Sequence, residues 1–95
     1  MKPMKLYHAK ELMGTIEDVG MDGLWMIGNL TLISSADKYK EMLDFLVDEK
    51  RNHVDPPYPI ENLEGWSVED DAGIMKEIIG PPAITNNYST IAWRW

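Results

Sequence analysis

The most apolar run of the chain is 24–33, and its pattern changes partway along. Apolar side chains occupy both faces of an extended chain at its start. After Gly28 they alternate, with Leu30 and Leu32 on one face and polar residues on the other. This pattern predicts a strand that is first buried on both faces and then on one. Gly28 itself indicates a bulge or a close approach of another backbone segment.

Shorter apolar segments predict further strands on either side of this run. The segment 12–20 is joined to it by Met21, Asp22 and Gly23, and Asp-Gly is a strong hairpin signal. Residues 1–11 have few apolar anchors and favour only a short helical turn. Later strands are predicted at 66–68, 74–79 and 88–95, with turns at 71–73 and 86–87 and a break at 80–82, beyond which Ala83 and Ile84 extend the apolar pattern.

One amphipathic helix is predicted over residues 35–51. Its apolar stripe recurs at helical spacing, with Tyr39, Leu43 and Leu46 as members. A serine at the start with a carboxylate three residues on, Ser34 and Asp37, is typical of a capping box. Lys50 and Arg51 close the end, where positive charge suits the helix dipole.

The order of these elements predicts an α+β fold. Hairpins on both sides of one helix favour a mostly antiparallel sheet of about five strands, with the helix 35–51 packed on one face. Residues 52–63 contain three prolines and are expected to form a loop without regular structure. The whole chain, 1–95, is expected to be a single domain.

The absence of cysteine limits the reactions and metal sites that this chain can have. None of the 95 residues is Cys, which excludes disulfides, thiolate metal sites and cysteine nucleophiles. It also favours a reducing cytoplasm. The first residues lack the apolar core of a signal peptide, and no run approaches the roughly 20 apolar residues that span a bilayer. A cytoplasmic location without membrane insertion is the expectation.

The charge is acidic and uneven. The formal net charge is −7; residues 1–52 carry seven Lys and Arg against nine Asp and Glu, and residues 53–95 carry two against seven. Such a domain repels nucleic acid and anionic membranes and favours either solubility or a basic partner. The run Glu69, Asp70 and Asp71 lacks the spacing of a calcium loop and predicts a solvated hairpin turn, with a possible contact to a partner.

No arrangement of residues predicts catalysis or a cofactor. His53 lies near Asp55, and such a pair can act as a general base, but both His53 and His8 are expected to be surface residues. Glycine spacing fits neither a dinucleotide fingerprint nor a phosphate loop, and Ser34 lacks the context of a nucleophile elbow. The chain is therefore expected to be no enzyme, and to need no metal and no cofactor.

The four tryptophans are the most unusual feature of the sequence. Trp25 and Trp66 are expected to fill the core. In the strand 88–95, Trp93 lies on the core face. Arg94 and Trp95, at the end of that strand, are residue types enriched at interface hot spots, and they are candidates for contact with a partner. The alternative is that they serve packing and a surface ion pair.

The order of elements resembles small bacterial immunity proteins that are encoded beside toxin genes. The resemblance rests on Gly14-Thr15-Ile16, Trp25 with Gly28, the helix Tyr39–Leu46, a Trp66 strand and the segment Ile91–Trp95. It implies a protein that binds a partner and performs no chemistry.

The sequence thus favours a small protein-binding domain. The more specific hypothesis is an immunity or inhibitor protein that covers a basic surface of its partner. The residues expected to contact the partner are Glu69, Asp70, Asp71, Arg94 and Trp95. Two alternatives stay open. One is a self-associating structural module, in which a homodimer forms through a sheet edge or the Trp93 and Trp95 end. The other is a small-ligand binder with a pocket lined by Met and Trp.

Overall fold

The computed structural model describes residues 3–48, 50 and 55–95. Within that part, the chain forms one antiparallel sheet of seven strands in the order β5-β4-β1-β2-β3-β7-β6. The strands are β1 (Met4–His8), β2 (Glu11–Asp22), β3 (Trp25–Leu32), β4 (Trp66–Glu69), β5 (Met75–Glu77), β6 (Ala83–Thr85) and β7 (Thr90–Trp93). The α+β class with an antiparallel sheet is confirmed, and the expected number of about five strands is wrong.

The sheet is curled so that its two edges approach each other. Its edge strands β5 and β6 are joined by residues 78–82 alone, a connection that spans at most about 21 Å when extended. A flat sheet of seven strands would be about 29 Å wide. The main-chain N–H of Ile79 donates to the carbonyl of Arg94 at 2.8 Å, which links the end of β5 directly to the end of β7.

The concave face of the curled sheet holds the core. Every strand except β5 contributes fully or largely buried apolar side chains to it, and the helical segment adds Ala36, Met42 and Leu43. The sheet residues of this cluster include Leu6, Met13, Ile16, Leu30, Trp66, Val68, Ile84, Ile91 and Trp93. The burial of Ile91 and Trp93 confirms the core face predicted for the last strand, although β7 is shorter than the predicted 88–95.

The two strands that raise the count to seven, β1 and β6, carry weak sequence signals. Residues 1–11 were expected to favour a helical turn, but the described part forms β1 and turns at Ala9 and Lys10. Both turn residues have positive φ angles, 48° and 71°. Hairpin turns of this kind normally contain Asn-Gly, so Ala-Lys gives no signal. Ala83 and Ile84 belong to β6 rather than extending the strand before the break.

The helix differs from its predicted bounds at both ends. It begins as a 3-10 helix over Ser34–Tyr39 and continues as α1 over Lys40–Val47. No side chain caps either start, so the predicted capping box is wrong; the Ser35 hydroxyl donates instead to the carbonyl of Leu12. Asp48 is extended and ends α1, which leaves Lys50 beyond it. Arg51 lies outside the described residues.

The proline-rich segment is only partly without regular structure. A single helical turn, α2, covers Ile60–Leu63 and follows Pro59, whose ψ of 147° is not helical. Residues 52–54 lie outside the described part of the chain. This short α2 returns the chain to β4 and packs over residues of the core.

Gly28 makes the close approach that its place in β3 indicated. A Cβ atom there would lie 2.5 Å from the Ile16 side chain and 3.1 Å from the carbonyl oxygen of Glu17. Only a hydrogen atom fits at this point, between β3 and β2. The prediction of a close backbone approach at Gly28 is confirmed.

Candidate functional site

The acidic run forms the turn between β4 and β5, as predicted. Asp70 Oδ1 accepts hydrogen bonds from the main-chain N–H groups of Ala72 and Ile74, at 3.0 and 2.9 Å. Asp70 Oδ2 lies 3.5 Å from the Lys76 ammonium. The pKa of Asp70 is lowered, first by the main-chain N–H of Ile74 and then by the main-chain N–H of Ala72 and the Lys76 ammonium. Asp70 therefore builds the turn and is not a free anion for a partner.

Its two neighbours, Glu69 and Asp71, differ in their hydrogen bonding. One Glu69 carboxylate oxygen accepts a hydrogen bond from the Tyr7 hydroxyl at 3.3 Å. Burial raises the pKa of Tyr7, and the Glu69 charge raises it further. Asp71 is exposed at the tip of the turn. Of the three acidic residues singled out from the sequence, Asp71 is the one without a hydrogen bond or ion pair in the described structure.

The end of β7 holds the other predicted partner residues. Trp93 is buried, and Trp95 leans against it with ring centroids 5.8 Å apart and planes at 87°. Trp95 keeps 39% of its surface exposed, and the Lys76 ammonium lies 5.1 Å from its ring centroid. Trp95 is therefore accessible at the surface, and its ring is held in place by its contact with Trp93.

Arg94 lies beside a third tryptophan, Trp25, which was predicted to be in the core. Its guanidinium carbon lies 5.9 Å from the ring centroid of Trp25. Trp25 is 44% exposed, so its expected place in the core is wrong, whereas that of Trp66 is confirmed at 2% exposed. Trp25 lies on the convex face because its sheet neighbour Met26 points to the concave face with Trp93.

These residues belong to one surface at the end of the curled sheet, which we call the sheet-end surface. The β2–β3 hairpin, the end of β7 and the segment after β5 meet there, since Asp22 pairs with Trp25, and Ile79 bonds to Arg94. Its side chains are Met21, Leu24, Trp25, Ile79, Arg94 and Trp95; Trp25 and Arg94 lie on the convex face, and Met21 and Trp95 lie on the side of Met26 and Trp93. Met21 and Leu24 are 73% and 74% exposed, and Ile79 is 64% exposed. Such clustering of exposed apolar groups marks an interaction site more often than scattered ones do.

A second cluster lies inside the domain and surrounds His8. This histidine is only 4% exposed, so its expected surface position is wrong. Its ring lies 4.6 Å from that of Tyr39 and 4.7 Å from that of Trp66, between centroids. His8 Nε2 donates to the main-chain oxygen of Glu61 at 2.9 Å, and the Trp66 indole N–H donates to that of Asn62 at 2.9 Å. A buried polar group needs such partners, and here they tie α2 to the core.

The His8 cluster has the contacts of a structural element. His8 Nε2 and the Trp66 indole nitrogen both bond to main-chain oxygens, and in the described residues no group of three or more His, Cys, Asp or Glu could hold a metal ion. The alternation of β1, with Leu6 and His8 on one face, is the signal that would have placed His8 inside. His53, the other catalytic candidate, lies outside the described residues.

One cavity of about 380 Å³ opens between the start of β4 and the end of β5. It is lined by Glu64, Gly65, Trp66, Glu77, Ile78 and Gly80. One tryptophan and no methionine belong to this lining, which therefore differs from the Met- and Trp-lined pocket considered from the sequence. Met13 and Met42 are instead fully buried in the core.

Comparison with family models, with curated proteins and with solved structures gave no significant match for this chain. Among the helices in the described part, none has the length and apolar character needed to cross a membrane.

Proposed function

We propose that this chain is a protein-binding domain that contacts its partner through the sheet-end surface. The observation that carries the proposal is the exposure of two tryptophans at one end of the sheet, each beside a cation: Trp25 beside the Arg94 guanidinium and Trp95 beside the Lys76 ammonium. Trp and Arg are the residues that dominate binding energy at protein interfaces. A non-catalytic role fits the resemblance to immunity proteins, which rests on Trp25 and the segment Ile91–Trp95 among others.

The tryptophans of this surface are held in place before any partner arrives. Trp95 is packed edge to face on the buried Trp93, and Lys76 covers its ring. Trp25 is the first residue of β3 and is paired with Asp22 of β2. Side chains that are already ordered lose little conformational entropy on binding, which favours affinity.

The acidic character gives the sharper form of the proposal, an inhibitor of a basic partner. The net charge of −7 would accelerate encounter with a positively charged protein, most strongly at low salt. In this form Glu69 and Asp71 act by their charge near the contact, whereas Asp70 acts by holding the turn. The apolar sheet-end surface then supplies the affinity.

Capture of partners from the cells in which the protein is made tests the proposal. The baits are the wild type, Trp95→Ala, Arg94→Ala and, as a matched control, Ile60→Ala, which removes a 61% exposed apolar side chain on α2. We expect one protein to co-purify with the wild type and Ile60→Ala, and its yield to fall at least tenfold with Trp95→Ala and Arg94→Ala. A capture that none of the substitutions changes, or no reproducible capture at all, would refute the assignment.

The inhibitor form has its own measurement. If the partner is basic, its association rate with this domain should fall as salt rises from about 50 to 200 mM, because screening shortens the reach of the charges. Asp71→Lys should lower the association rate and leave the dissociation rate close to that of the wild type. An acidic partner, or a rate independent of salt, would exclude this form while leaving the binding surface in place.

A further inference from the structure

We infer that the sheet-end surface also pairs with a second copy of this chain, as a two-fold symmetric dimer centred on Trp25. This inference concerns the same surface as the proposed function but does not depend on the existence of another partner. It rests on the order of charges across the sheet on either side of the Trp25 indole.

Three side chains of different character stand in one row across the strands. Asp22 of β2 is the register partner of Trp25 in β3, so the two side chains share a face of the sheet. On the other side, Met26 pairs with Trp93, which places the next residue, Arg94, opposite Trp25. The Arg94 guanidinium lies 5.9 Å from the indole centroid. The row therefore reads anion, indole, cation, with about 10 Å between the main chains of Asp22 and Arg94.

Neither charge in this row is neutralised inside the described structure. The Asp22 carboxylate and the Arg94 guanidinium take part in none of its ion pairs, which are Lys38 with Glu11, Lys40 with Asp37 and Lys76 with Asp70. Asp22 is exposed and Arg94 is half-buried. A guanidinium beside an exposed indole, without a carboxylate of its own, is suited to receive one from another molecule.

The row is complementary to itself. When two such faces are placed together with a two-fold axis along the strands, the direction of the row is reversed in the second copy. Arg94 of each copy then faces Asp22 of the other, and the two Trp25 rings meet between the two pairs. Symmetric interfaces repeat every contact twice, so one favourable pair becomes two.

The apolar side chains around the row give this pairing its hydrophobic part. Met21 and Leu24, at the tip of the β2–β3 hairpin, are the most exposed of the large apolar side chains in the described structure. In the dimer Leu24, next to Trp25 in the chain, would lie beside the paired indoles and lose contact with water, whereas Met21 lies on the opposite face of the sheet with its register partner Met26. The same contact would cover the surface proposed for another partner, so dimer formation and partner binding should compete.

Charge exchange provides a sharp test, with sedimentation equilibrium on the full chain as the measurement. We expect the wild type to dimerise, and Asp22→Arg or Arg94→Asp alone to weaken the dimer at least tenfold, because each places like charges together twice. An equimolar mixture of the two variants should dimerise as well as the wild type, since every pair across the mixed interface joins opposite charges. Glu41→Arg and Lys50→Asp, which make the same changes of charge on and beyond α1, serve as controls.

Several results would overturn the inference. A wild type that stays monomeric at about 0.5 mM would do so, as would a mixture that associates no better than its components. Circular dichroism of each variant shows whether it is folded. If either charge variant is unfolded, two other substitutions test the inference. Trp25→Ala must weaken the dimer relative to the wild type, and Ile60→Ala must not. Partner capture by the wild type separates the two proposals: a wild type that stays monomeric and still captures its partner refutes the dimer alone, and a wild type that dimerises but captures no partner refutes the partner alone.

Discussion

Trp66 and His8 pack ring against ring, with centroids 4.7 Å apart, and each is hydrogen-bonded to the main chain of α2. One helical turn is thereby attached to two neighbouring strands, β4 and β1. Tyr39 closes the cluster from the 3-10 helix, 5.5 Å from the Trp66 ring. The aromatic cluster is the point at which helix, α2 and sheet meet, and it differs in kind from the exposed tryptophans at the sheet end.

Removing Trp66 should cost far more stability than removing Trp25. Trp66→Ala leaves a large cavity and an unpaired Asn62 carbonyl, and we expect it to lower the free energy of unfolding by about 3–5 kcal/mol. Trp25→Ala, the matched control, removes a ring that is 44% exposed and should cost less than about 1 kcal/mol. Urea unfolding followed by circular dichroism gives both values, at concentrations low enough to keep the protein monomeric. Equal losses would contradict the different burial of the two rings.

Gly28 and Gly20 should respond in opposite ways to the same methyl group. Gly28→Ala forces a Cβ into the Ile16 side chain, and we expect a loss of about 1–3 kcal/mol. A Cβ at Gly20 meets no atom within 4 Å, and its φ is not in the left-handed region. Gly20→Ala should therefore be neutral or raise stability by about 0.4–1 kcal/mol, through the unfolded state. Thermal unfolding of the two variants beside the wild type checks the contrast, and a stable Gly28→Ala would refute the close approach.

The Asp70 turn should make stability depend on pH. Because the folded state lowers the pKa of Asp70, its contribution is present above the ordinary carboxyl pKa of about 3.9 and is lost as pH falls through the lower folded value. Asp70→Ala should lower the melting temperature at pH 7, and the difference from wild type should shrink below about pH 4. Asp71→Ala removes an equal charge without those hydrogen bonds and should have little effect at either pH. If the two variants melt alike, Asp70 does not build the turn.

The β1–β2 turn should be improved by glycine. Lys10 has a φ of 71°, a region in which a side chain costs about 1–2 kcal/mol. Lys10→Gly removes that cost but adds freedom to the unfolded chain, so we expect a net gain of about 0.5–1 kcal/mol. Lys5→Gly, inside β1, should instead destabilise the protein, since glycine weakens a strand. A denaturant midpoint above that of the wild type for Lys10→Gly, and below it for Lys5→Gly, would confirm this prediction. A destabilised Lys10→Gly would contradict it.

Much of the fold could be predicted because its signals are local. The Asp22-Gly23 turn, the alternation around Leu30 and the helical stripe each depend on a few neighbouring residues, and each led to an element that the structure contains. The missed strands β1 and β6 lack such signals. The turn after β1 uses Ala9 and Lys10 in a conformation that the sheet imposes on them. β6 is three residues long and is held by β7.

The candidate surface could be predicted only in part. Arg94 and Trp95 were expected at a contact because of their residue types and their place at the end of a strand. Trp25 was not, because a tryptophan in the most apolar run of the chain is usually buried. Asp70 was grouped with Glu69 and Asp71 by sequence alone, and the hydrogen bonds to Ala72 and Ile74 separate it from them.

The sequence by itself determined the α+β class, the acidic character and the positions of the main strands and helix, because periodicity, turn residues and charge act over short stretches of chain. The tertiary structure decided which face of each strand meets the core. His8 became buried and Trp25 exposed because the order of the strands and the curl of the sheet set their surroundings. It also brought Asp22, Trp25 and Arg94 into one row from three different strands or strand ends, a relationship between residues up to 72 positions apart that no local pattern contains.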